Sequence, residues 1–514
     1  MKTRKNLAYF ALFACLVSCS DDIGISQDEP LQKQEAEKSL ELSSHEVMVL
    51  KEMANGTTVL DQQEAANIAL SIFGNPQGTN KSSIYRTIKN VEVITSDGEG
   101  GNKSVDGENE TDTLMYVFNF ENNGGYSVVS ADIRVDQPIL AYSTSGELEV
   151  GGNEMVDENF FELAKFYINE QIEEAEARHD SLLEVVTEKV LSMYEDSLQA
   201  EEISSGNKAV TIVQKYLLTN QCYTKYTYTI TANVDPLLKT EWSQDMPYND
   251  KVAKRYKEKN GCSLFDAYNV PVGCVPVAVA QIMAYWQYPN SIQGYDGTIN
   301  FNWQKIKDVR TLLSYNDYSI SEQIKYLLSY VGEGMNVSYA MNASSTTFSK
   351  AQKYLNKLGY KTSIENYSYE RVVSYLKEKH PVCVSGLDAK TDTAHAWTAD
   401  GYIENTVRRQ DDLTYVVITS NTVNYGEPPL FVKETVVSTQ NAKYLHINWG
   451  WGVEEDAGDL YDLKKGCNGY YLKDVFRVSD RYVRDPNNSA KLNIERNTKN
   501  KNYSEKLQIL NIYR

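Results

Sequence analysis

Residues 269–286, NVPVGCVPVAVAQIMAYW, place one cysteine where a loop gives way to a helix. Val275, Val279, Ile282, Met283 and Trp286 recur at offsets of four, three, one and three, the apolar stripe of a buried amphipathic helix. Gly273 permits a close backbone approach at its start. Pro276 suits a first helical turn, where a missing N–H costs no intrahelical hydrogen bond. Cys274 therefore sits at or just before a helix N-terminus, where unpaired amides and the macrodipole favour a thiolate. With a histidine cation also near, a cysteine pKa falls from about 8.5 into the range of roughly 3.5 to 7.5. A Gly-Cys pair before a helix is also what a small buried hydrophobe looks like, so the partners of Cys274 decide its reading.

The chain of 514 residues has room for two or three domains, and its 41% hydrophobic content can build real cores. Seventy acidic against 51 basic residues give a net charge of −19, and no basic patch with interleaved aromatics occurs. Nucleic acid is not an expected partner. Lys2, Arg4 and Lys5 precede an apolar run from Leu7 to Val17 that is too short to span a bilayer, as in an export signal. The run ends in Leu16-Val17-Ser18-Cys19, which resembles the lipobox of bacterial lipoproteins; an ordinary cleaved signal peptide is the alternative. The lipobox reading makes residues 1–18 the signal, Cys19 the acylated residue, and the N-terminal lipid the link to a membrane. Ser20-Asp21-Asp22 is similar to acidic signals that send some lipoproteins to the outer surface, so the expected location is the bacterial outer membrane. Beyond the signal stand Cys222, Cys262, Cys274, Cys383 and Cys467. An odd count in an exported protein flags a free thiol. The four cysteines other than Cys274 allow three disulfide pairings or remain buried thiols, and no spacing argues for a metal.

Residues 19–55 are polar and charged and read as a tether. A helix over Leu60–Phe73, with Asp61 as cap, and strands over Ser83–Thr95, Leu114–Phe120, Gly125–Ser130 and Ile139–Ser143 form a small antiparallel sheet with a helix. The acidic loop Asp97–Asp112 does not fit a calcium-binding EF-hand and reads as a solvated connection. One or two charged helices follow from Asp157 to about Ala200, then a flexible boundary at Glu201–Lys208. Helical text follows, around Cys274, Ser321–Val331 and Thr347–Leu358, and strand-like text begins beyond Pro381. The whole is an α+β arrangement.

A nucleophilic thiol needs a base and a group to orient that base. Of five histidines, His45 and His179 lie in the N-terminal region, and His380 precedes a proline in a charged turn. His395 opens a strand in AHAW, and His446 shares a strand face with Asn448. Gln244 in TEWSQDMPYN, Gly273-Cys274 with AQIM, His395 in SGLDAKTDTAHAWTADGY, and Asn448-Trp449-Gly450-Trp451-Gly452 together resemble the streptopain family of papain-like cysteine peptidases. The match covers roughly Asn233–Tyr471. The segment YVFNFENNGGYSVVSADIRVDQPILAYSTSGEL is similar to that family's inhibitory propeptide.

The resemblance implies a papain-like catalytic domain of a helical half and an antiparallel sheet or barrel half over 209–483, preceded by an inhibitory prodomain over 56–208. It implies Cys274 as nucleophile, His395 as general base and Gln244 as oxyanion donor, with Asn448 and Trp449 orienting and shielding the imidazole. Gly273, Ser344, Ser345 and Ala394 would line the substrate cleft, and no cofactor is implied. Expected partners are protein or peptide substrates, the chain's own prodomain as inhibitor, and a trypsin-like activating protease acting between Glu201 and Asp235, with Lys208, Lys215 and Lys225 as candidate sites. Pro276 and Ala394 depart from the family's usual small residue and glycine. Tyr402–Tyr444 is longer than expected, Val453–Cys467 is inserted, and the tail, 484–514, has no counterpart. Two other readings are a silent peptide-binding or peptidase-inhibiting lipoprotein, and a thiol enzyme acting on peptidoglycan amides or glutamine side chains.

Overall fold

Ser43 and Glu46 cap the first helix, α1 (Ser44–Asn55), reciprocally: the Ser43 N–H donates to the Glu46 carboxylate at 2.6 Å and the Glu46 N–H to the Ser43 hydroxyl at 3.3 Å. The computed structural model describes residues 42–55, 57–74, 86–96, 113–150, 160–205, 216–341, 343–388, 393–418, 430–452, 467–476 and 505–514. Cys19 with the export signal, the acidic loop at 97–112, the run 453–466, and Lys208 and Lys215 lie outside these residues. The expected tether is corrected at its C-terminal end, because α1 buries Val47, Met48, Val49 and Leu50. Even Lys51 is buried, donating to the Thr224 hydroxyl at 3.1 Å. No helix among the described residues is long and apolar enough to cross a membrane.

Helix α2 (Gln62–Ser71) starts at Asp61, whose carboxylate accepts from the Glu64 N–H. It packs on an antiparallel meander of β1 (Ile88–Thr95), β2 (Thr113–Phe120), β3 (Tyr126–Ser130) and β4 (Ile139–Ser143). The charged segment that follows is one helix, α3 (Glu162–Ser205).

The second half runs β5 (Tyr216–Val234), α4 (Asp250–Asn260), α5 (Cys274–Trp286), the hairpin β6 (Ser291–Gly294) and β7 (Gly297–Asn300), and α6 (Tyr318–Gly334). A hairpin of β8 (Ser338–Ala340) and β9 (Ala343–Ser345) follows, then α7 (Phe348–Leu358), β10 (Lys361–Asn366), α8 (Tyr369–Lys377), β11 (Val382–Asp388), β12 (Thr393–Ile418), β13 (Leu430–Asn448), β14 (Gly469–Leu472) and β15 (Glu505–Tyr513). The two halves share one 11-stranded sheet in the order β1-β2-β3-β4-β14-β13-β12-β11-β15-β10, with β5 beside β12. The join is β4 against β14, with Tyr142 opposite Tyr470.

The long stretch between Tyr402 and Tyr444 extends two catalytic-half strands into a ribbon, with β12 paired to β13 from Thr398 to Val417. Where β11 ends, β5 takes over the free side of β12, from Tyr402 opposite Val234 to Ile418 opposite Tyr216. A bulge at Ala399/Gly401 marks the change of partner. A Cβ at Gly401 would lie 2.9 Å from the Val234 carbonyl oxygen, so that position requires glycine.

The two-residue period of the sheet separates two cores. Val382, Val384, Trp397 and Ile509 face the core shared with the N-terminal half, whereas Cys383, Ala396, Leu510 and Ile512 face the core under α5 and α6. Helix α5 supplies Val277, Val279, Ile282 and Met283 to the second core, all at 0% exposure. Each such side chain contributes roughly 1.5–3 kcal/mol when fully buried.

The C-terminal residues are not an appendage. Strand β15 lies between β10 and β11, hydrogen-bonded to both, and the Ile512 carbonyl accepts from the Trp286 indole at 3.0 Å. The expected domain end at 483 is corrected accordingly, since the catalytic sheet is completed by the last ten residues. Burial of Ile509, Leu510 and Ile512 alone is worth about 4–9 kcal/mol, comparable with a whole domain's net stability of about 5–15 kcal/mol. A chain ending at Ser504 should therefore lose cooperative thermal unfolding of the second half, followed by near-UV circular dichroism. A melting curve within a few degrees of the full-length protein would show that β15 is dispensable.

Candidate active site

Gly273, at φ 100°, turns the chain from the loop into α5 and leaves the first-turn N–H groups facing the Cys274 sulfur. The N–H of Ala396 on β12 also donates to that sulfur, together with those of Val275 and Cys274 itself. Ala396 is the residue after His395, so the packing of α5 on β12 brings the thiol to the histidine-bearing strand. His395 is 2% exposed.

Its ring stacks on Trp451 at 4.7 Å between centroids, and Trp451 lies parallel to Trp449 at 5.3 Å. The imidazole Nε2 lies 3.2 Å from the Trp449 carbonyl oxygen. A carbonyl only accepts, so Nε2 carries the proton, and in the neutral ring the lone pair sits on Nδ1. That is the tautomer a thiol-activating base needs.

Asn448 is engaged elsewhere. Its Nδ2 donates to the Thr240 carbonyl at 2.7 Å and to Gln281 Oε1 at 3.2 Å, while its Oδ1 accepts from the Gly450 N–H at 3.1 Å. The group set against His395 Nε2 is the main-chain carbonyl of Trp449, and the Asn448 amide holds the turn that carries it.

Gln244 is half-buried, and its carbonyl accepts from the Val272 N–H at 2.8 Å, tying it two residues upstream of the thiol. Its side-chain amide makes no hydrogen bond among the described residues. Ser344 donates to the Pro271 carbonyl at 2.7 Å and lies against Gly273; Ser345 and Ala394 are exposed nearby on β9 and at the head of β12. The Gln281 amide was visible in sequence only as part of AQIM, and nothing about a buried amide in a helix signals its partners.

Burial pushes the Cys274 thiol above its ordinary pKa, and the N–H groups of Ala396, Val275 and Cys274 offset this only in part. Cys262, Cys274 and Cys383 carry free thiols.

The N-terminal half reaches the same wall from behind. The Tyr126 hydroxyl donates to the Cys467 carbonyl at 2.9 Å and lies 3.1 Å from the Tyr471 hydroxyl. Phe160 packs edge-on against Tyr471 at 4.8 Å, and Tyr471 packs edge-on against Trp449 at 5.5 Å. A continuous aromatic path thus runs from the N-terminal half to the carbonyl that holds His395.

Comparison with known proteins fits this geometry. The family model of the peptidase C10 family matches residues 242–457, and that of the Spi protease inhibitor matches residues 57–170. Streptopain of Streptococcus pyogenes serotype M1 is 25% identical over 361 residues, covering 66% of this chain and 72% of the relative. A second Streptococcus pyogenes streptopain is 24% identical over 371 residues with the same coverage. Among solved structures, a fragment of Prevotella intermedia prointerpain A carrying a Cys-to-Ala substitution has 15% identity and a TM-score of 0.38 over 82% of this chain and 98% of its own. Active interpain A cysteine protease from the same species has 18% identity and a TM-score of 0.32, over 55% and 95%. The chain belongs to the peptidase C10, or streptopain, family and is a cysteine-type endopeptidase that carries an inhibitor-like domain ahead of its catalytic half.

Proposed function

We propose that this chain is a lipid-anchored zymogen in which Cys274 and His395 cleave peptide bonds once the N-terminal half has been released. The observation that carries the chemistry is the paired geometry at the sulfur: the N–H of the residue after His395 touches it, and the Nε2 proton of His395 is already committed to Trp449. His395 Nδ1 takes the Cys274 proton, and the sulfur attacks the scissile carbonyl carbon. The developing oxyanion receives the Gln244 side-chain N–H and a first-turn N–H of α5. The imidazolium then protonates the leaving amine, and water, deprotonated by the same ring, hydrolyses the thioester.

Inhibition is proposed to act through the wall behind His395. Tyr126 and Phe160 hold Tyr471 against Trp449, and β4 holds β14, while desolvation around Cys274 favours its protonated form. Activation is proposed to cut between helix α3, which ends at Ser205, and strand β5, which begins at Tyr216. Lys208 and Lys215 fall in that interval. Lys225 pairs with Gln410 inside the β5–β12 ladder, where a protease cannot extend the backbone, and β5 would remain with the catalytic half. The anchor is assigned to Cys19 by the lipobox-like sequence, with the outer membrane as the location; the test is mass spectrometry of the mature N-terminus for a diacylglyceryl cysteine. The inhibitor-only reading lacks support, since both reacting groups are present. The amidase reading is tested by including peptidoglycan among the substrates.

Three substitutions measure the chemistry in protein cleaved within 206–215, with an unstructured protein as substrate. Cys274→Ala and His395→Ala should each remove nearly all turnover, and the double variant should be little worse. Gln244→Ala should lower kcat by about 10² or more with KM little changed, because the donor acts on charge that develops only in the transition state. Retained turnover in Cys274→Ala, or an effect of Gln244→Ala confined to KM, would contradict these assignments.

Latency has its own readout. A thiol pKa raised in the folded chain keeps the protonated form at neutral pH, so Cys274 in uncleaved protein should resist iodoacetamide at about pH 5.5 and react only in alkaline solution. After cleavage and removal of the N-terminal half, labelling at about pH 5.5 should appear, and adding the separated half back should suppress it. Equal labelling of both forms at acid pH would sink the latency mechanism.

A further inference from the structure

Helix α5 carries the thiol at its first residue and, two turns on, a glutamine whose amide is wholly buried. Gln281 Oε1 accepts from the Trp242 N–H at 3.0 Å and from Asn448 Nδ2 at 3.2 Å, and its Nε2 donates to Asn448 Oδ1 at 3.3 Å. Asn448, 2% exposed, in turn binds the Thr240 carbonyl and the Gly450 N–H. The reciprocal amide pair therefore joins three separate segments. One is the helix that begins with Cys274. The second, Thr240–Trp242, leads two residues later to Gln244. The third is the end of β13, where the residue after Asn448 supplies the carbonyl that holds His395.

We infer that Gln281 is a positioning residue: through Asn448 it sets the distances between the thiol, the oxyanion donor and the imidazole across the boundary between the helical half and the sheet half. The inference rests on the assignment of Cys274, His395 and Gln244 above and adds the device that holds them in register. An apolar side chain of similar size at 281 would fill the space yet release the Thr240–Trp242 segment and the Trp449 turn from α5. Catalytic constellations tolerate such release poorly, since a misplacement of about 1 Å costs about 10²-fold in rate. Glutamate at 281 separates the two halves of the interaction. Ionised, it still accepts from Trp242 and from Asn448 Nδ2 but cannot donate to Asn448 Oδ1; protonated, it does both.

The experiment uses cleaved protein, with kcat expressed per site titrated by a covalent thiol inhibitor so that unfolded molecules do not count. Gln281→Leu should lower kcat about 10²-fold with KM within about threefold of wild type. Gln281→Glu should show a kcat that, relative to wild type at each pH, rises as the pH falls and the carboxyl gains its proton. The exchanged pair Gln281→Asn with Asn448→Gln keeps one long and one short amide facing each other and should recover about tenfold or more over the worse single variant. If Gln281→Leu fails to fold, the pH profile of Gln281→Glu and the exchange decide. A kcat per titrated site within threefold of wild type for Gln281→Leu overturns the inference, as does a Gln281→Glu profile parallel to wild type together with no recovery in the exchanged pair. Cys274→Ala run alongside keeps the two levels apart. If that variant turns over substrate, the nucleophile assignment has failed; if it is inactive while Gln281→Leu is fully active, only the positioning role has.

Discussion

Everything at the site depends on one apolar contact, the seating of helix α5 on the sheet face formed by β11, β12 and β15. Val277, Val279, Ile282 and Met283 bury completely against that side, and Cys383, Ala396, Leu510 and Ile512 meet them from the sheet. Burial of this kind is non-directional and cannot by itself set a sulfur within hydrogen-bonding distance of a particular N–H. Directed groups at its edge do that: the Ala396 N–H on the thiol, the Trp242 N–H on Gln281, and the amide pair between Gln281 and Asn448. The apolar contact supplies the energy, and the hydrogen bonds choose the register.

The same sheet explains how an inhibitor-like domain reaches a site it does not plug among the described residues. Because β4 pairs with β14, the N-terminal half is added to the catalytic sheet by main-chain hydrogen bonds. Side chains then convert the join into a contact with the machinery, through Tyr126, Phe160 and Tyr471 to Trp449. A second hold lies at the far ribbon, where Lys51 of α1 meets Thr224 of β5, and Thr224 donates to Asp411 at 2.7 Å. Asp411 is itself paired with Arg409 at 2.8 Å, both nearly fully buried. Breaking either partner would leave a buried charge uncompensated, so this cluster makes the ribbon and α1 interdependent.

Much of this was legible before any coordinates. The apolar stripe of 275–286 marks α5, Asp61 caps the helix that follows it, a helix follows Thr347, and the motifs that carry Cys274, His395 and Asn448-Trp449 meet across α5, β12 and β13. Two elements were missed although local signals existed. Ser43 and Glu46 form a capping box in front of Val47-Met48-Val49-Leu50, hidden in a region whose overall composition looks like a tether. The run Gln508–Tyr513 is short, and both faces of its strand are buried, so it shows no alternation to separate it from a tail. The role of Asn448 was out of reach for another reason. Sequence fixes which face of β13 an amide takes, but which of two neighbouring groups, a side chain or the next carbonyl, meets His395 depends on the turn at Gly450 and on Gln281. The upward push on the thiol pKa was equally hidden, because a helix N-terminus argues for a thiolate and desolvation, which opposes it, follows from the packing.

The account stands on covalent chemistry at one sulfur, and trapping that intermediate examines it most directly. Protein cleaved within 206–215 would be mixed with an activated peptide ester, quenched with acid before turnover is complete, and mapped by mass spectrometry. The account predicts a peptidyl thioester on Cys274 at close to one per titrated site. An acyl group on Cys262, Cys383 or Cys467, or full turnover with no thioester on any cysteine, would contradict it.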